Sequence, residues 1–181
     1  MHLVGLVGFA RSSKDTFAGE LIGAARPHHW RRFAFADALK RYVANFLRVS
    51  LTVLEERKEE FRPVMQIFGK RMREIDPDCW LRPLKQALAD ENPFTSDPDI
   101  PRLRCEGVVV ADVRYQNEAD AIRKAGGVLV RIVRQDQPVE PPAGAHESEK
   151  NAPLITCDMT FAHSSVEEIG GQARQLLMTL R

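Results

Sequence analysis

The stretch "GVVVADV" at 107–113 constrains the fold of this chain more than any other feature. A short run in which apolar residues follow one another without polar alternation fits a strand covered on both faces. Four further segments read as strands: "HLVGLVG" at 2–8, "WRRFAFA" at 30–36, "VLVRIVR" at 128–134 and "CDMTFAH" at 157–163. Between and after them lie segments of helical spacing. These are "KDTFAGELIGAA" at 14–25, "DALKRYVANFL" at 37–47, "YQNEADAIRKAGG" at 115–127 and "SVEEIGGQARQLLMTLR" at 165–181. Asp37 stands near the start of the second, where a carboxylate suits the free amides. Residues 51–90 are helical in pattern and highly charged, punctuated at Pro63, Gly69 and Asp76-Pro77. Two segments read as loops, "DENPFTSDPDIPR" at 90–102 and "QDQPVEPPAGAHESEKN" at 135–151. Apolar strands alternating with helices predict an α/β fold with a parallel sheet covered on both faces. Sheets of that kind bind ligands beyond the carboxyl ends of their strands. This rule puts 8–16, 36–40 and 112–116 on one rim.

The rim's first segment, "GFARSSKDT" at 8–16, nearly spells a phosphate-binding loop. The usual pattern is Gly, four residues, Gly, Lys, then Ser or Thr. Gly8 and Lys14 keep their places, Ser13 stands where the second Gly belongs, and Asp15-Thr16 replaces the usual hydroxyl. The loop lies between a strand and a helix, so amides and a helix amino end can converge on an anion. The expected phosphate-binding residues are Gly8, Arg11, Ser12, Ser13, Lys14, Asp15 and Thr16. If Ser13 has a left-handed backbone, Ser costs ~1 kcal/mol relative to Gly. A magnesium ion could be held by Asp15 directly or through water, or by Thr16. The alternative is an ordinary turn with Ser12 or Ser13 capping the helix.

The chain's 181 residues are 44% hydrophobic and 28% charged, with formal net charge +1. A broadly basic coat for nucleic acid is therefore not expected. Cys79, Cys105 and Cys157 are widely spaced, which argues against a disulfide framework and a Cys-based zinc site. No apolar run approaches the ~20 residues that span a bilayer, and a cytoplasmic location is expected. His28, His29, His146 and His163 lack metal-ligand spacing.

Four stretches, "GFARSSKDT", "FAFADALK", "MQIFGKRMREIDPDCW" and "VVVADVRYQNEADAIRKAGGVLVRIVR", and more weakly a fifth, "HESEKN", carry a family resemblance. Together they resemble the phage-type deoxynucleoside monophosphate kinases, P-loop enzymes distantly related to adenylate kinase. Ser13 departs from that family's Gly. The resemblance implies a single three-layer P-loop kinase domain over 1–181 with a helical excursion at about 51–90. It also implies ATP and Mg²⁺ as cofactors, a deoxynucleoside monophosphate as substrate, a homodimer in many members, and a phage origin with work in the host cytoplasm.

Transfer of a γ-phosphoryl group to a phosphate oxygen needs positioned cations more than acid-base groups. Lys14 is expected on the β and γ phosphates. Asp112, ending its strand, is expected to hold Mg²⁺ or a metal-bound water, or else to cap a helix. Arg114 follows on the same rim and could clamp a phosphate; the alternative is a surface Arg. By resemblance, Asp37 touches the sugar or base and Lys40 the acceptor phosphate; a helix cap and a solvated Lys are the alternatives. Of the charges at 56–74, most should form a solvated, salt-bridged face. One of Arg71 and Arg73 should reach phosphate, Gln66 could read a base edge, and Trp80 should fill the core. The resemblance extends weakly to His146 and Glu147. Two rivals stand beside this reading: a P-loop kinase for dephospho-coenzyme A or phosphomevalonate, and a nucleotide-binding protein with little turnover.

Overall fold

The computed structural model describes residues 1–25, 29–89, 105–137, 140 and 147–180. Its centre is a five-stranded sheet of order β2-β3-β1-β4-β5. The strands are β1 (His2–Val7), β2 (Trp30–Phe33), β3 (Gly107–Val113), β4 (Val128–Arg134) and β5 (Met159–His163). Every pairing is parallel. The apolar runs of β1 and β3 are continuous because both their faces are buried, while β2, β4 and β5 each leave residues exposed. Val4, Leu6, Val109 and Ala111 pack with Phe17, Leu21 and Leu176 under α1 (Lys14–Ala24) and α8 (Val166–Thr179). Leu3, Val7, Val108 and Val110 pack on the opposite face with Ala38, Leu84 and Ile122. That face is covered by α2 (Phe35–Leu47), α5 (Leu81–Ala89) and α6 (Gln116–Lys124). The result is the three-layer α/β arrangement that the strand and helix periods predict.

Between α2 and α5 stand α3 (Leu51–Glu56) and α4 (Lys58–Ile75), with their own small core of Val43, Ala44 and Leu54. The expected breaks at Pro63 and Gly69 do not occur, since both lie inside α4. Pro63 is in the second turn and forfeits a single amide bond, while Gly69 is buried. The helix ends at the Asp76-Pro77 signal, as expected.

Two boundaries differ from the sequence reading. The strand expected at 30–36 stops at Phe33, and α2 begins at Phe35. The cause is Asp112 at the end of β3, whose two carboxylate oxygens accept the amides of Phe35 and Ala36, each at 2.8 Å. This satisfies two donors that a helix start otherwise leaves free. The loop expected at 135–151 contains α7 (Glu147–Asn151), followed by a 3₁₀ turn at Ala152–Leu154. The loop expected at 90–102, His28 and His146 lie outside the described residues.

Candidate active site

The loop from Gly8 to Ser13 leaves β1 and enters α1 with Lys14 as the first helical residue. Gly8 is required by close approach: a Cβ there would lie 2.5 Å from the carbonyl oxygen of Ile132 and 2.7 Å from Ser12 Oγ. Ser13 has φ 63 and Arg11 has φ 61, so both adopt the left-handed conformation that favours Gly. Ser13 is the N-cap of α1, but its side chain makes no capping bond. Ser12 is buried, and its carbonyl lies 3.3 Å from Nε2 of the buried His163 at the end of β5. Gln137 donates to the carbonyl of Ala10 at 2.9 Å. The loop is thus braced from β4, β5 and the segment that follows β4.

Lys14 is only 7% exposed. Its ammonium donates to the carbonyls of Gly8 at 3.0 Å and Phe9 at 2.5 Å, and to Ser12 Oγ at 3.3 Å. Burial and the neighbouring Arg114 lower its pKa from 10.5 to about 8, against the pull of Asp15, Asp112 and Glu149. Among the described residues Lys14 has no carboxylate in ion-pair contact. Arg114 has none either; its guanidinium donates to Ser148 Oγ at 3.4 Å.

Both cations line a cleft of about 1050 Å³ that opens along the rim of the sheet. Of the residues expected from sequence, the cleft gathers Arg11, Lys14, Asp15, Asp37, Lys40, Gln66, Arg73, Asp112 and Arg114. Gly8, Ser12 and Ser13 shape the loop backbone at its edge. Two expectations are corrected. Arg71 has a side chain 74% exposed, pairs with Glu74 at 2.6 Å and stays outside the cleft. Arg73, the other candidate of that pair, is the one that reaches it. Thr16 is exposed on α1 and does not line the cleft, so Asp15 and Asp112 remain as carboxylates for a metal. Trp80 is buried, as expected, and its indole donates to the carbonyl of Gly69.

Half of the cations of the excursion are paired locally, including Arg57 with Glu60 and Arg62 with Glu59, each at 2.6 Å. Lys40 pairs with Glu55 and Asp37. Several residues that line the cleft were not singled out from sequence. Arg32 on β2 binds Asp15 at 2.8 Å and Asp37 at 2.7 Å, tying the start of α1 to α2. An Arg next to the end of a strand that leads to the rim is the signal that could have found it. Glu118, Ser148 and Glu149 also line the cleft, the last two from the weak "HESEKN" stretch.

Among the described residues no cluster of three or more His, Cys, Asp or Glu could hold a metal, so Asp112 and Asp15 could serve a magnesium ion only through its waters. Each Asp112 oxygen accepts one amide and retains a lone pair for a metal-bound water. Burial raises the Asp112 pKa, and the amides of Ala36 and Phe35 work against that rise.

No family model matches the chain, and no curated protein matches it. Solved structures are similar at low identity. A shikimate kinase from Aquifex aeolicus is 15% identical over 98% of this chain and 96% of its own, with a TM-score of 0.44. A sugar kinase from a Janibacter species is 14% identical over 99% of this chain and 94% of its own, with a TM-score of 0.48.

Proposed function

We propose that the cleft is the active site of an ATP- and Mg²⁺-dependent cytoplasmic kinase that phosphorylates deoxynucleoside monophosphates. The observation that carries this reading is the pair Lys14 and Arg114. Two cations face one cleft, one depresses the other's proton affinity, and neither has a carboxylate partner among the described residues. Like charges held together with no carboxylate in ion-pair contact suit a polyanionic ligand. The cleft volume, at the top of the ~300–1,000 Å³ range of small-molecule sites, suits a donor and an acceptor side by side.

In this reading the amides of the loop and the amino end of α1 cradle the donor phosphates. Lys14 turns from the carbonyls of Gly8 and Phe9 to the β and γ phosphates. Arg114 and Arg73 neutralise the acceptor and the charge spread over the transferred group. Gln66, Asp37 and Lys40, which line the same cleft, hold base, sugar and acceptor phosphate in this reading. The acceptor oxygen is already ionised, so no general base is needed. Mg²⁺, when bound with ATP, screens phosphate charge; Asp112 and Asp15 would hold it through its waters.

The test is to incubate the protein with ATP, Mg²⁺ and a panel of ribo- and deoxynucleoside monophosphates, dephospho-coenzyme A and phosphomevalonate, and to measure ADP. ADP should form with monophosphates and most readily with the deoxy forms. Turnover confined to another acceptor, or none at all, refutes the assignment.

The left-handed Ser13 bears on rate. Relief of ~1 kcal/mol by Ser13→Gly should change kcat/KM for ATP by no more than about tenfold, and upward. A strong gain from an inactive wild type would instead mark the loop as worn.

A further inference from the structure

We propose that Glu118 is a positioning residue that sets two phosphate-binding arginines, Arg73 and Arg114, against each other across one end of the cleft. The inference rests on the reading of this cleft as a phosphate site. Glu118 is 2% exposed and sits in the first turn of α6. One oxygen, Oε2, accepts the amide of Arg114 at 2.8 Å and the amide of Tyr115 at 3.1 Å. That fixes the backbone from which the Arg114 side chain departs. The other oxygen, Oε1, accepts Nη2 of Arg73 at 3.2 Å. Arg73 comes from α4, and its guanidinium also donates to the carbonyl of Gly69 and stacks 4.0 Å over the Tyr115 ring. A carboxylate that only capped α6 would need the first oxygen alone. The second reaches out of its own helix to a residue 45 positions away. A guanidinium held on a carboxylate, a carbonyl and a ring has little rotamer freedom left to lose when an anion arrives. Burial of Glu118 without Arg73 would leave a charge unpaired, so each residue fixes the other.

Glu118→Gln separates the two tasks. The amide oxygen can take the place of Oε2 against both backbone N–H groups, while the amide NH₂ cannot accept from Arg73. The measurement is calorimetric titration with inorganic pyrophosphate, together with thermal unfolding, for wild type, Glu118→Gln, Arg73→Met and the double variant. Glu118→Gln should weaken pyrophosphate by about tenfold, the scale of one charge-assisted contact. Its unfolding midpoint should stay near that of wild type. The double variant should bind no more weakly than Arg73→Met alone, because Glu118 acts through Arg73. If Glu118→Gln does not fold, Glu118→Asp replaces it, with a carboxylate that still caps α6 but draws back from Arg73. Unchanged affinity in the variant that folds, or a loss that persists in full without Arg73, overturns the proposal. A wild type that does not bind pyrophosphate overturns the phosphate-site reading itself and this inference with it. Pyrophosphate binding that leaves no ADP with any acceptor would instead refute the kinase assignment and leave the role of Glu118 standing.

Discussion

Lys14→Ala is expected to lower phosphoryl transfer by about 10²–10³-fold while the fold persists. The catalytic loss follows from removal of the buried cation at the mouth of the loop. The fold should tolerate it because the charged form of Lys14 is disfavoured by burial. The sign can be worked out. A lysine whose folded pKa falls from 10.5 to about 8 binds fewer protons folded than unfolded across that window. Stability therefore rises with pH from about 8 to about 10.5, and Lys14→Ala should flatten that rise. A bound polyphosphate opposes the shift with its negative charge, so near pH 8 the wild type should take up a fraction of a proton with ATP. Calorimetry in buffers of differing ionisation enthalpy reads this uptake. A Lys14→Ala variant with more than about a tenth of wild-type turnover would remove Lys14 from the role.

Asp112→Asn should act on both stability and metal dependence. The carboxylate accepts the amides of Phe35 and Ala36 at 2.8 Å each, and an asparagine can accept only one of them. The other amide is left facing an NH₂ group, which costs about 1–3 kcal/mol. In a chain of this size that lowers the unfolding midpoint by roughly 2–4 °C per kcal/mol. If Asp112 also accepts from metal-bound water, the Mg²⁺ concentration for half-maximal turnover should rise well beyond any change in metal-free nucleotide binding. A lower midpoint with an unaltered Mg²⁺ requirement would make Asp112 a helix cap and nothing more.

β1 and β3 were legible because burial on both faces writes itself as uninterrupted apolar runs. The loop at 8–13 was legible as a strand-to-helix junction because its elements are local: Gly8 and Lys14 fall within one short stretch. What sequence missed depends on distant partners. The start of α2 is fixed by a carboxylate 77 positions away, so "FAFA" reads as strand until Asp112 is in place. Arg71 and Arg73 could not be told apart by charge or motif. Two positions on a helix differ by about 200°, and only packing on Glu118 and Tyr115 decides which one faces inward. Arg32 was overlooked because its bond to Asp15 forms only once β2 and the start of α1 lie side by side.

The strand order has a consequence for how the protein comes into being. β1 leads into the loop at 8–13, yet it forms no ladder with β2, the strand made next. His2 pairs with Gly107, and Val4 with both Val109 and Val128. During synthesis the ribosome therefore releases a bare apolar strand long before either neighbour exists. Most of the chain must emerge before that strand can be housed, and closing such distant pairs makes folding slow. For that interval β1 is a sticky edge open to the wrong strand or another chain. Chaperone demand and yield on expression should thus follow how soon β3 and β4 arrive, and changes in those two strands should aggregate the nascent protein even where the finished one would tolerate them.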